Sequence, residues 1–218
     1  GFVPQKNDLE RINNWIQNEE DPHVHGYWSW DWADSIVSVN KTTNNGIEWS
    51  VSSDGPQIKK NARYFGLNIL SELDTMGEYY VSRKDGLIYY YPHIPIDQWQ
   101  SLPVLSVNES AVVIDNRKNV VLHGIQVAHA TSTGISARNV QSINISNVHV
   151  NGHGAIGIDL LGSISTIESS NVSNVGCKGI SVYCGDMYTM NSGQCVVKGN
   201  TITTFAQYKR TYQPGIHW

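Results

Sequence analysis

The sequence predicts an all-β-dominated chain, a parallel β-helix (β-solenoid) preceded by an N-terminal mixed α/β module. Three observations carry this. First, the C-terminal half repeats one unit: a short β-branched run, a turn of small polar residues, then a Gly-Ile pair. The anchors Gly124, Asn147, Asn171 and Asn200 lie 23, 24 and 29 residues apart, and an apolar residue (Val120, Ile143, Ile167, Val196) comes four positions before each. Second, a Gly-Ile pair follows each anchor, at Gly134-Ile135, Gly157-Ile158, Gly179-Ile180 and, after an insertion, Gly215-Ile216. Third, charged residues make up only 16%, against a norm of about 25%. Asn, Ser, Thr and Gly take their place, which suits a turn-rich β architecture. One coil cannot bury its own apolar face, so successive coils stack with like residues in register.

Within the 218 residues, the break falls at a Pro-rich link (Pro92, Pro95, Pro103). It leaves a mixed module over 1–104 and about four coils over 105–218. In the module, DLERINNWIQNE (8–19) sets Leu9, Ile12, Trp15 and Ile16 at helical spacing. Next, Trp28, Trp30 and Trp32 alternate, so in a strand they share one face; such a strip either stacks on sugar rings or plugs an apolar surface. Asp31 and Asp34 flank it. Asn44-Asn45-Gly46 reads as a turn before a strand over 47–51. NARYFGLNILSELD (61–74) reads as a second amphipathic helix. GEYYVSRKDGLIYYYP reads as a hairpin turning at Asp85-Gly86, with Tyr79, Val81, Leu87, Tyr89 and Tyr91 alternating on its arms.

A net charge of -4 without Lys/Arg clusters argues against nucleic acid as a partner. No apolar run is long enough to span a membrane. The opening GFVPQKND lacks the basic and apolar regions of a signal peptide. The chain starts without Met, as a processed chain or a fragment does. It stops inside a Gly-Ile strand at His217-Trp218, with no cap for the last rung, so it reads as a truncated piece. Sequons at Asn40, Asn108, Asn144 and Asn171 fit a secreted protein, but Asn171 sits on a turn position where an inward side chain has no room for a glycan. Cys184 and Cys195 bracket the insertion GDMYTMNSGQ; they are either bridged, closing that loop, or buried thiols, and Cys177 is a core thiol in both cases.

The stretches GYWSWDWADS and NARYFGLNILSELDTMGEYYVSRKDGLIYYYP, with YCGDMYTMNSGQCVVKGNTITTFAQYKRTYQPGIHW, resemble the N-terminal module and coils of a group of secreted right-handed parallel β-helix proteins in the pectin-lyase-like superfamily. The resemblance covers nearly the whole chain. It implies an extracellular carbohydrate-active protein, a glycoside hydrolase acting on plant or algal polysaccharide or oligosaccharide. A non-catalytic glycan-binding or structural module is the alternative, and a polysaccharide lyase the third. This chain has Tyr183-Cys184-Gly185-Asp186 where the group carries a Gly-Gly-Asp run.

If each Ile of the Gly-Ile pairs faces inward, then Ser136, Asp159, Ser181 and His217 form an outward column, with Arg138, Leu161 and Tyr183 outward two residues further on. Glycoside hydrolysis needs two carboxylates roughly 5 to 9 Å apart, and Asp159 with Asp186 is the pair these coils offer as catalytic residues. Trp28, Trp30, Trp32, Tyr183, Arg210 and His217 are the candidate substrate-binding residues. Asn151-Gly152-His153-Gly154 is similar to the G-H-G element of polygalacturonases, but no paired-Asp motif precedes it. No cluster of carboxylates is available for Ca2+, so no metal and no cofactor is expected. The plain structural readings remain beside these: a solvated Asp159, a loop-capping Asp186 and a solvated Lys209-Arg210 pair.

Overall fold

The computed structural model describes residues 6–43, 46–49, 59, 61–100 and 102–218. The chain divides into two compact units, Gly1–Leu102 and Pro103–Trp218.

The first unit opens with helix α1 (Lys6–Asn18), whose spacing buries Ile12 and Trp15 on one face. Strands β1 (His23–Gly26), β2 (Ser35–Thr43), β3 (Gly46–Trp49) and β4 (Tyr64–Leu67) form an antiparallel sheet in the order β3-β2-β1-β4. Ile12, Trp15, Val24, Trp28, Val39 and Ile69 make the core of this unit. Two expectations are corrected here. The segment 61–74 is strand β4 followed by a 3-10 turn at Leu70–Glu72, because Asn61 and Asn68 both take left-handed backbone and β4 completes the free edge of β1. Ladder pairing outweighs helical periodicity where a helix would have to pass through two such breaks. The aromatic segment 27–34 is a loop between β1 and β2, not a strand. Of the expected 44–46 turn and 47–51 strand, positions 44, 45, 50 and 51 lie outside the described residues.

The hairpin pairs β5 (Tyr79–Ser82) with β6 (Leu87–Tyr90), matching Tyr80 with Tyr89 and Val81 with Ile88. Its loop spans 83–86, with Gly86 at φ 66°, rather than two residues. Loop length sets register, so Tyr79 and Val81 share a face with Ile88 and Tyr90, while Leu87 and Tyr89 lie on the opposite face with the buried Tyr80.

The second unit is a β-solenoid of about 3 turns between residues 110 and 184, rather than about four. Its first coil contains β7 (Ser110–Asp115), β8 (Lys118–His123) and β9 (Gln126–Ala128); its second, β10 (Thr133–Ser146) and β11 (His149–His153). The third has β12 (Ile158–Ser163), β13 (Thr166–Glu168) and β14 (Asn171–Val175). Then β15 (Ile180–Asp186) turns back into the short β16 (Asn191–Ser192), and β17 (Val196–Lys198), β18 (Thr201–Thr203) and β19 (Ile216–His217) extend the parallel ladders.

Inward residues stack from coil to coil. Val112, Ile135, Ile158, Ile180 and Ile216 form one row; Leu122, Ile145, Ile167 and Val197 a second; and Val127, Val150, Val172 and Ile202 a third. The Gly-Ile phase is therefore as expected, and its glycines have a definite cause. A Cβ on Gly134, Gly157 or Gly179 would come within 2.6, 2.6 and 2.5 Å of the next glycine's carbonyl oxygen. Only glycine lets the coils approach this closely. The anchor column needs correction: the left-handed corners are Gly124, Asn147, Ser169 and Gly199, and the first three donate their N–H groups to the next coil, Gly124 to Ser146, Asn147 to Glu168 and Ser169 to Lys198. Asn171 instead opens β14. Asn200 follows the fourth corner and bridges to Ser170 N–H and Ile167 C=O.

Candidate functional site

Two of the three cysteines are bridged, Cys184 to Cys195, with Cα atoms 6.2 Å apart, and Cys177 takes no part in a disulfide. The bridge closes the excursion that leaves β15 at Asp186. That carboxylate accepts from Tyr188 N–H at 2.9 Å and from the Thr189 hydroxyl at 2.8 Å. These bonds hold it below the ordinary carboxylate range, whereas a general acid needs its pKa raised. Asp186 is thus an exposed cap of its own loop.

Asp159 has a different environment. It sits on the outward face of β12, in register with Ser136 on one side and Ser181 on the other, yet is only 3% exposed. Its Oδ2 pairs with the guanidinium of Arg138, which stands one coil back and two residues beyond Ser136. Asp186 lies five residues past Ser181, the strand partner of Asp159, or roughly 16 Å along the strand direction. The fold therefore does not bring the two carboxylates together as a hydrolytic pair.

His217 and Tyr183 do meet, with ring centroids 5.4 Å apart and planes at 56°. His217 is the strand neighbour of Ser181. The outward column is therefore continuous: Ser136, Asp159, Ser181, His217, bordered by Arg138 and Tyr183. Arg210 lies on the exposed irregular segment between β18 and β19.

In the first unit the three Trp residues separate by role. Trp28 is buried: it lies on Gly26, where a Cβ would come within 2.4 Å of its ring, and packs beside Tyr64. Trp30 and Trp32 are each 53% exposed and stack on one another with centroids 5.0 Å apart and planes at 12°. Asp31, between them in sequence, pairs with Lys59 at 2.7 Å and Arg63 at 3.8 Å, and the Lys59 ammonium lowers its pKa. Arg63 in turn lies over the Tyr27 ring at 4.5 Å. The neck of the loop is tied by a buried pair, His25 Nε2 to Asp34 Oδ2, at 2.7 Å.

Two features were not anticipated from the sequence, the Asp159–Arg138 pair and the His25–Asp34 tie. The first is a diagonal contact across coils, visible only once the register is known. The second joins residues nine apart across a loop, and alternation of Trp gave no sign of that loop. Among the described residues no three His, Cys, Asp or Glu side chains converge as a metal site, and no helix is long and apolar enough to cross a membrane. No family model, curated protein or solved structure matches the chain.

Proposed function

We propose that the chain is part of an extracellular carbohydrate-active protein of right-handed, pectin-lyase-like build, and that it binds plant or algal polysaccharide. The supporting observation is the Trp30–Trp32 stack: two flat, half-exposed rings, with Asp31, the residue between them in sequence, paired to Lys59 and Arg63. Rings of this kind bind the apolar faces of sugars, while neighbouring charges hydrogen-bond the hydroxyls. The disulfide is in keeping with an oxidising, extracellular setting. Affinity electrophoresis against a panel of plant and algal polysaccharides tests the proposal. Retardation is expected for the native chain, with Trp30→Ala and Trp32→Ala each weakening it about tenfold, as loss of an aromatic anchor does. Retardation by no polysaccharide, or no effect of either substitution, overturns it.

A glycoside-hydrolase reading has one observation in its favour: Asp159 is a buried carboxylate on the outward face of the stacked sheet. Its partner would have to be a carboxylate other than the loop cap Asp186. A sugar-release assay with Asp159→Asn and Asp186→Asn decides it; the expected result is loss of any release with the first substitution and little change with the second.

A further inference from the structure

The outward column contains two polar atoms that its own neighbours leave unsatisfied. Ser181 is 1% exposed, yet its hydroxyl has no hydrogen-bond partner among the described residues, and neither does the buried Nδ1 of His217. Asn144 and Asn171 each leave one buried oxygen unpartnered as well, but on separate strands. Ser181 and His217 are direct partners on adjacent strands, so their side chains emerge on one face about 4.8 Å apart. Asp159 follows on the far side of Ser181. A buried polar group without a partner costs about 1–3 kcal/mol. Two side by side, next to a buried carboxylate, mark a place where an outside molecule supplies the missing hydrogen bonds.

The donor and acceptor roles narrow the class of that molecule. A serine hydroxyl both donates and accepts, an imidazole nitrogen does one or the other according to tautomer, and Asp159 accepts only. A carboxylate or phosphate ligand accepts only and would meet the charge of Asp159. An ammonium donates only and suits the imidazole in just one tautomer, the one whose Nδ1 accepts. A hydroxyl satisfies all three positions. The charges of Arg138 and Asp159 offset one another, so the face has no net attraction for an ion. We propose that Asp159, Ser181 and His217 form a binding notch for adjacent hydroxyls of an uncharged polyhydroxylated ligand, a neutral saccharide rather than a uronate. Arg138 and Tyr183, with side-chain exposure of 53% and residue exposure of 48% respectively, border the notch. The notch belongs to the solenoid unit and its chemistry is independent of the Trp30–Trp32 stack.

The test uses the whole chain, with neutral gluco-, xylo-, manno- and galacto-oligosaccharides as probes and oligogalacturonate as the charged control. The imidazole 15N resonances of His217 report hydrogen bonding at Nδ1 directly. At least one neutral probe is expected to shift them, and Ser181→Ala and His217→Ala are each expected to weaken its binding about tenfold. Ser181→Ala should leave the thermal midpoint unchanged or raise it, because it removes an unsatisfied buried hydroxyl. The Trp30→Ala/Trp32→Ala double variant should retain the His217 shift. The notch is refuted if no probe moves the His217 signals, if Ser181→Ala binds like the native chain, if oligogalacturonate binds more tightly than every neutral probe, or if a probe-soaked crystal shows only water on both atoms. Binding abolished by the Trp substitutions but untouched by Ser181→Ala supports the stack alone and also refutes the notch.

Discussion

At the end of β11 the imidazole of His153 is closed in by the coils. Its Nδ1 accepts from Ala130 N–H at 3.0 Å, and its Nε2 donates to the Val127 carbonyl at 3.2 Å. This network requires the neutral ring, and burial, the largest influence, pushes its pKa below the ordinary value. The unfolded chain therefore takes up a proton that the folded chain resists. The stability contributed is complete above the unfolded value of about 6.5 and is lost as pH falls through it toward the folded value. Denaturant midpoints should drop between about pH 7.5 and pH 5, and His153→Gln should flatten that part of the curve relative to the native chain; parallel curves for the two proteins contradict this. His153 also shows what a sequence conceals at this scale. The G-H-G around it is similar to a catalytic element, but the ring is a structural bond-maker facing the coil interior. Asp159 was placed correctly on the outward face, whereas its burial and its diagonal partner Arg138 depend on neighbouring coils that alternation along one strand does not encode.

Among the elements, the Gly-Ile strands were the most legible, because two physical demands fall on adjacent residues. The glycine must let one backbone approach the next, and the isoleucine must fill the row behind it. Adding a single methyl at Gly157 would place carbon 2.3 Å from Val172 and 2.6 Å from the Gly179 carbonyl. Gly157→Ala should therefore destabilise the solenoid by about 1–3 kcal/mol or more, read as a fall in denaturation midpoint. Gly124→Ala, whose added carbon meets nothing within 4 Å, should incur chiefly the cost of its positive φ, about 1–2 kcal/mol. The corners were less legible, since Gly, Asn and Ser all serve there and the Asn residues near each corner compete for the same reading. Asn171 lies only two residues beyond the true corner Ser169, and its residue type suits a corner equally well. The segment 61–74 failed for another reason: its apolar spacing suits a helix, but the vacant edge of β1 recruits it as a strand.

Across the molecule, two buried clusters organise the chain, one centred on Ile12, Trp15, Val24 and Trp28, the other on the Ile and Val rows of the coils. Each unit has its own core, so each should melt as its own cooperative unit. Removing an internal isoleucine from one should cost that unit about 2–5 kcal/mol and leave the other alone. Calorimetry of Ile12→Ala and Ile158→Ala should show each substitution lowering a different transition. One shared transition, lowered by both, would mean that the cores fold together. The solenoid was readable because a stacked fold writes the same requirement into every coil. The first unit was not, because its aromatic loop and its strand β4 are set by contacts that occur once.

The bridge between Cys184 and Cys195 separates two kinds of continuity that normally coincide. The excursion leaves the ladder at β15 and rejoins it at β17, and its tip exposes Met187, Tyr188 and Met190 almost fully. A protease cutting after Tyr188 would sever the backbone while the sulfur–sulfur bond still spans the gap. The nicked chain should run as one band without reductant and as two with it, its coils intact in the first case. The bridge thus makes this tip the place where the peptide chain can be interrupted without interrupting the solenoid.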